Sequence, residues 1–218
     1  MDILVTGTSS GIGLAIAERF LSEGHRVWGV DLQPAAIEHP SYTHLCGDIR
    51  DEGLPGLDDI PAPEVLVLNA GTLEEADAID VNLTGTIRFA QRFAESPRLR
   101  SVLFVASASA RNGAEFPWYV ASKAGIVGYM KNLALALAPR GITVNSISPG
   151  GVITPANRHI LEDEGLYQQV LDETLLGKWA LPEEVAELAW YLTMQNRSIT
   201  GEDILMDNGE MRKSNFVW

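Results

Sequence analysis

Tyr119 and Lys123 stand four residues apart in Tyr119-Val120-Ala121-Ser122-Lys123, near the start of a stretch with helical periodicity. Residues i and i+4 share one face of a helix, so the phenol and the ammonium point the same way. A free tyrosine titrates near pH 10 and is a poor base near neutrality, but a cation within about 4–6 Å favours its phenolate. Such a pair can carry a proton to or from an alcohol oxygen. By itself the spacing is common, and a surface tyrosine beside a surface lysine satisfies it equally well. A second group lies in Thr6-Gly7-Thr8-Ser9-Ser10-Gly11-Ile12-Gly13, between a strand-like and a helix-like segment. Glycines there let the backbone turn sharply and approach a pyrophosphate, and the helix N-terminus offers N–H donors with partial positive charge. Asp31 follows 18 residues beyond Gly13. A carboxylate at that distance accepts the hydroxyls of an adenosine ribose and repels a 2′-phosphate. Neither the loop nor Leu32-Gln33 offers an Arg or Lys to neutralise that phosphate, so NAD is favoured over NADP. Taken alone, Asp31 is also explained as a solvated strand-end carboxylate.

These residues need a frame, and the apolar pattern describes one. Short apolar runs alternate with amphipathic stretches, which reads as a βαβα order and a mostly parallel sheet. Strands are expected at Ile3 to Thr6, Arg26 to Asp31, Tyr42 to Cys46, Val65 to Asn69, Ser101 to Ala106, Ile142 to Ile147 and Asp203 to Met206. Helices are expected from Gly11 to about Glu23, Glu74 to about Ala94 and Pro117 to about Ala138, with a further one opening at Pro182. Right-handed crossovers then give a doubly wound α/β fold of the Rossmann type, with about seven strands and helices on both faces. No linker or repeat divides residues 1–218, so one nucleotide-binding domain is expected.

The composition fits that frame. The 218 residues are 46% hydrophobic and 21% charged, as in an ordinary folded globule. With 16 Lys+Arg against 29 Asp+Glu the net charge is −13, which argues against nucleic acid or an anionic membrane as partner. Lone Cys46 has no internal disulfide partner, no apolar run reaches the ~20 residues of a membrane span, and strand-like chain begins near Met1. A cytoplasmic protein is expected. The four histidines show no metal-ligand spacing, so no metal site is expected. Glu162-Asp163-Glu164 reads as a solvated face. Phe116, Trp118, Tyr167 and Trp179 flank the expected cleft, although singly each is more often packing. Gly151 is expected to leave room there for a bulky substrate. The apolar tail Phe216-Val217-Trp218 is expected to pack on a neighbouring subunit.

Taken together, the TGxxxGxG loop, Asp31, Asn69-Ala70-Gly71, Asn82, Ser107, YxxxK and Pro149-Gly150 resemble the short-chain dehydrogenase/reductase family. The resemblance runs nearly the full chain, to Thr200-Gly201 and Asp207-Asn208-Gly209. It implies that Tyr119 is the general acid/base and that Lys123 holds the nicotinamide ribose and lowers the tyrosine pKa. It also implies that Ser107 hydrogen-bonds the substrate oxygen and that Asn82 supports a proton path behind Lys123. Gly7, Ser9, Ser10, Gly11, Ile12 and Gly13 would carry the pyrophosphate. Asp48 and Ile49 would meet the adenine, with Asn69, Ala70 and Gly71 bordering it. Pro149, Gly150, Val152 and Thr154 would lie at the nicotinamide, and a substrate lid would span about 154–181. Ser109 competes with Ser107 for the substrate-binding role, and Ser107 is preferred because it ends the Val102–Val105 run. Asn82 also has the simpler reading of a helix-packing residue.

The implied activity is hydride transfer between NAD(H) and a small secondary alcohol or carbonyl, in a homodimer or homotetramer. A 3-oxoacyl thioester (acyl-carrier-protein) reductase and a non-catalytic dinucleotide-binding regulator are the alternatives. Two departures stand out. Only ten residues separate Gly71 from Asn82, and the segment after Asp31 is too compact for a full covering helix.

Overall fold

The computed structural model describes residues 1–114 and 116–212. The tail expected to reach a neighbouring subunit, Phe216-Val217-Trp218, lies outside the described residues. Seven parallel strands form one sheet in the order β3-β2-β1-β4-β5-β6-β7, where β1 is Asp2–Thr6, β2 Arg26–Asp31, β3 Tyr42–Cys46, β4 Val65–Leu68, β5 Ser101–Val105, β6 Thr143–Pro149 and β7 Asp203–Met206. The order reverses at β1 and β4. In doubly wound sheets the crevice at the strands' carboxyl ends at such a point is where ligands bind.

Strand periodicity explains why both faces are covered. Along β1, Ile3 and Val5 point to one side and Leu4 to the other; Val65 and Val67 alternate with Leu66 and Leu68 in β4, as Leu103 and Val105 do with Val102 and Phe104 in β5. Every residue of those three strands is buried, as a parallel sheet sandwiched by helices requires. On one face lie α1 (Gly11–Ser22) and a helix at Pro182–Trp190, which bury Ile16, Phe20, Val185 and Ala189. On the other lie α2 (Thr86–Ala94) and, after a single turn of helix (α3, Ser109–Asn112), the long α4 (Pro117–Leu137).

One expected helix begins later than its periodicity suggests. Glu75 to Asp77 form a turn, Ile79–Gly85 is wound as a π-helix, and the α-helix α2 starts only at Thr86. The Thr86 hydroxyl donates to the Val81 carbonyl, five residues back, at 3.3 Å. The apolar spacing of a π-turn imitates that of an α-helix, which conceals the difference in sequence. Such turns concentrate at functional positions, and this one carries Asn82.

Between β6 and the Pro182 helix the chain leaves the sheet as α5 (Arg158–Leu161) and α6 (Glu164–Asp172), so the Pro182 helix is α7. In the acidic stretch there, Asp163 caps α6 by accepting the Leu166 amide at 3.0 Å. No described helix is long and apolar enough to cross a membrane.

Phe104 is fully buried where β5 meets α4, its ring edge-on to Tyr129 with centroids 5.9 Å apart. Phe104→Ala is expected to destabilise the chain by about 3–5 kcal/mol. Urea unfolding followed by tryptophan fluorescence measures this, and a loss below about 1 kcal/mol would show that the layer closes over the gap.

Candidate active site

The turn between β1 and α1 is shaped by its glycines. Gly7 and Gly11 have φ of 78° and 55°, left-handed values that favour glycine, and a Cβ at Gly13 would overlap the Gly7 carbonyl oxygen. Asn69, at the end of β4, locks the turn from below. Its side-chain amide donates to the Thr6 and Gly7 carbonyls at 3.1 and 3.2 Å. The Thr6 hydroxyl accepts the Asn69 and Ala70 amides, each at 3.0 Å. Ser10 opens α1 without offering it a side-chain cap, so the donors of the first turn remain available to an outside anion.

Above the turn lies a cleft of about 670 Å³ along the carboxyl ends of the strands. Gly7, Ser10, Gly11, Ile12, Asp31, Asn69, Ala70 and Gly71 line its first half. Ser107, Tyr119, Lys123, Pro149, Gly150, Val152 and Thr154 line the rest. Ser9 and Gly13 act from behind. The Ser9 amide donates to Asp31 Oδ2 at 2.9 Å, and the Gln33 amide to Oδ1 at 2.9 Å, fixing the carboxylate at the cleft edge.

Two residues expected at the adenine do not reach the cleft wall. The Asp48 carboxylate is held by the Arg50 guanidinium at 2.7 Å, which keeps it below the usual carboxylate range, and Ile49 is buried in the core beside α2.

Lys123 is buried, and its Nζ donates to the Val105 carbonyl at 3.0 Å. Burial pushes its pKa down to about 8. Its Nζ lies 5.7 Å from the centre of the Tyr119 ring, one helical turn away and on the same face, as i, i+4 spacing requires. Asn82 is also buried and works as a brace. Its amide oxygen accepts the Thr72 amide at 2.7 Å, while its nitrogen donates to the Thr72 carbonyl at 2.9 Å and the Ser122 hydroxyl at 3.1 Å. The brace draws the chain after β4 against the helix that carries Tyr119 and Lys123.

The two serines that compete for the substrate-binding role are joined to each other. Both are buried and both line the cleft, and the Ser109 hydroxyl donates to Ser107 Oγ at 2.8 Å while the Ser109 amide does so at 3.2 Å. Ser107, accepting twice, keeps its own hydrogen for another acceptor.

One expectation is overturned. A Cβ at Gly151 would lie inside the Trp179 indole, so the missing side chain makes room for that ring and not for a bulky substrate. Tyr167 meets Trp179 edge-on at 5.8 Å, and both belong to the segment between β6 and α7. Glu75 is a residue that sequence reasoning missed. Its carboxylate accepts the Trp118 and Tyr119 amides, each at 3.3 Å, supplying a cap that Phe116 lacks at the start of α4. The signal was there: a helix opening on Phe116-Pro117 has no capping side chain of its own and needs one from elsewhere. Among the described residues no group of three or more His, Cys, Asp or Glu could hold a metal ion.

A parallel doubly wound sheet with a glycine turn, a fixed acid, and a buried lysine beside a tyrosine in one cleft defines a nucleotide-binding oxidoreductase architecture. Residues 65–210 match a family model described as enoyl-(acyl carrier protein) reductase. The chain is 32% identical to the 3-oxoacyl-[acyl-carrier-protein] reductase MabA of Mycobacterium tuberculosis, over 95% of its length and 92% of the relative. It is 33% identical to a short-chain dehydrogenase/reductase of Armillaria gallica, over 94% of each chain. Among solved structures, the aldohexose dehydrogenase of Thermoplasma acidophilum superposes with a TM-score of 0.88 at 27% identity, over all of this chain and 96% of that one. A protein of Agrobacterium tumefaciens titled a 2-deoxy-D-gluconate 3-dehydrogenase, with bound NADP, superposes at 0.87 and 25% identity, over 97% and 96%. The chain belongs to the short-chain dehydrogenase/reductase family, and is an oxidoreductase of that family.

The buried ammonium has a measurable cost in the ligand-free protein. Folded Lys123 releases its proton near pH 8 and an unfolded lysine near 10.5, so the unfolded chain holds more protons between those values and stability rises with pH there. Lys123→Met is expected to melt higher than wild type at pH 7, with the gap closing as pH rises from 8 to 10.5. Melting curves across that range check it, and a gap that widens with pH would contradict the assignment.

Proposed function

We propose that the chain interconverts a neutral secondary alcohol and its carbonyl compound using NAD(H), with Tyr119 as general acid/base. The observation that carries this reading is that Tyr119, Lys123 and Ser107 line the same cleft as the glycine turn and Asp31. The nicotinamide, when bound, supplies the hydride acceptor or donor. Gly7, Ser10, Gly11 and Ile12 would hold the pyrophosphate and Asp31 the adenosine ribose. Lys123 would hold the nicotinamide ribose and Thr154 the carboxamide. The uncapped N-terminus of α1 and the spare N–H bonds of Lys123 fit those groups. Tyr119 then takes the proton of the substrate hydroxyl, the Lys123 ammonium favours the phenolate, and Ser107 donates its hydrogen to the substrate oxygen. All 218 residues would act as one domain, with about 154–181 as its lid.

The preference for NAD rests on Asp31, where a 2′-phosphate would meet a carboxylate fixed by two backbone amides. The preference for a neutral substrate rests on the cleft wall. Its substrate end is lined by Leu73, Phe116, Ile160, Val170 and Trp179, and its added charges are the acidic Glu173 and Glu210. A second reading, a 3-oxoacyl thioester reductase, is favoured by the similarity to the mycobacterial 3-oxoacyl-[acyl-carrier-protein] reductases. The acidic mouth and a net charge of −13 count against an anionic carrier arm.

Tyr119→Phe is expected to bind NADH as wild type does and to lose turnover by about 10²–10⁴-fold. NADH absorbance with a panel of secondary alcohols, sugars, hydroxysteroids and hydroxyacyl thioesters reads this out. Near-wild-type turnover by the variant would remove Tyr119 from its role, and rates highest with the thioesters would favour the second reading.

Asp31→Ala is expected to bring the dissociation constants of NADH and NADPH together. A wild type that already prefers NADPH would overturn the cofactor assignment.

A further inference from the structure

Asp31 sits at the open end of the sheet, and no helix among the described residues joins β2 to the edge strand β3 to support the loop after it. A ring of side chains stands in that place. Thr8 Oγ1 meets Tyr42 Oη at 2.8 Å, Tyr42 Oη meets His44 Nδ1 at 2.9 Å, and His44 Nε2 meets the Gln33 carbonyl at 2.9 Å. The Ser9 hydroxyl closes the ring by donating to the same Gln33 carbonyl at 3.2 Å, with Ser9 adjacent in sequence to Thr8.

The donors follow from the chemistry of the acceptor. A backbone carbonyl has no hydrogen to give, so His44 Nε2 donates to it, and in that tautomer Nδ1 accepts from Tyr42. Tyr42, having spent its hydrogen, accepts from Thr8. Every link therefore runs in one direction, from the glycine loop through β3 to the Gln33 carbonyl.

Tyr42 and His44 are two residues apart and so share one face of β3, where they can act together. Gly29 on the neighbouring strand makes the space, since a Cβ there would overlap Tyr42 Oη and crowd Thr8 Oγ1 at 2.5 Å. Asp31 is joined to the same two residues, its carboxylate oxygens taking the amides of Ser9 and Gln33, which the ring ties together.

We propose that Tyr42 and His44 are positioning residues that fix Asp31 and the Leu32-Gln33 loop for an adenosine ribose and against a 2′-phosphate. This rests on the reading of Asp31 as the ribose-binding acid. Ordering the loop before the ligand arrives lowers the entropy lost on binding. Making room for a phosphate would require the loop to move, and with it every link of the ring.

The test is direct titration of NADH and NADPH fluorescence with the full-length wild type, His44→Ala, Tyr42→Phe and, as control, Asp31→Ala. Tyr42→Phe removes only the hydroxyl and serves if His44→Ala fails to fold. His44→Ala and Tyr42→Phe are each expected to weaken NADH about fivefold, the worth of one side-chain hydrogen bond, and to leave NADPH within about twofold. The selectivity ratio would therefore narrow. A merely structural role would lower the urea midpoint and weaken both nucleotides alike, and that result overturns the proposal. If Asp31→Ala narrows the ratio while the two ring variants leave it unchanged, the proposal fails and the ribose reading stands. If Asp31→Ala leaves the ratio unchanged, or wild type binds neither nucleotide or prefers NADPH, both fail.

Discussion

A lysine side chain carried into the interior beside the end of β5, with its ammonium on the Val105 carbonyl, is the constraint around which the site is arranged. An ammonium removed from water is expensive unless something accepts its hydrogens. In this fold one acceptor comes from the sheet, which leaves donors directed at the cleft. The same burial that makes the group costly makes it effective, because a positive charge in low dielectric acts strongly on a phenol one helical turn away. The surrounding devices keep that helix where the charge is useful. Glu75 caps its first turn, and Asn82 ties its Ser122 to the chain leaving β4. The short connection between Gly71 and Asn82 is thus occupied by two anchors to α4, so economy of length has not made it idle.

Much of this was legible in the residues. The limits of β1, β4 and β5 lie within one residue of those expected, because parallel strands buried on both faces appear as unbroken apolar runs with polar or glycine borders. The cleft brings together Tyr119, Lys123, Ser107, Asp31 and the glycine turn because each sits at a strand end or in the first turns of a helix, and the βαβ order alone sends those points to one edge of the sheet. What sequence could not reveal depends on contacts between distant side chains. Gly151 reads as open space until Trp179 is seen lying over it. Nor does anything in the sequence signal that Arg50, two residues on, pairs with Asp48. The π-wound turn at Asn82 has the periodicity of an ordinary helix, and only the geometry distinguishes them.

The two ends of the cleft are built by different means. At the nucleotide end the backbone does the work through glycine conformations, amide donors and a helix terminus, with side chains serving to hold it still. At the substrate end side chains form the wall, and most come from the segment between β6 and α7. The serine pair lies between them. Ser107 hangs from the end of β5 while Ser109 begins α3, so a helix onset orients a hydroxyl that the strand presents.

The excursion between β6 and α7 is pinched shut at its base. Val152 bridges to Ala180 in parallel register, the Ile153 amide donates to the Ala180 carbonyl at 2.9 Å, and the Ala180 amide donates to the Gly151 carbonyl at 3.0 Å. Thr154, just inside those clasps, packs toward Gly11 of the glycine turn, whereas Ile160, Val170 and Trp179 further along line the other end of the cleft. The two ends of the cleft therefore draw on largely separable stretches of chain, so exchanging the part beyond Thr154 would reshape one wall while leaving the glycine turn as it is.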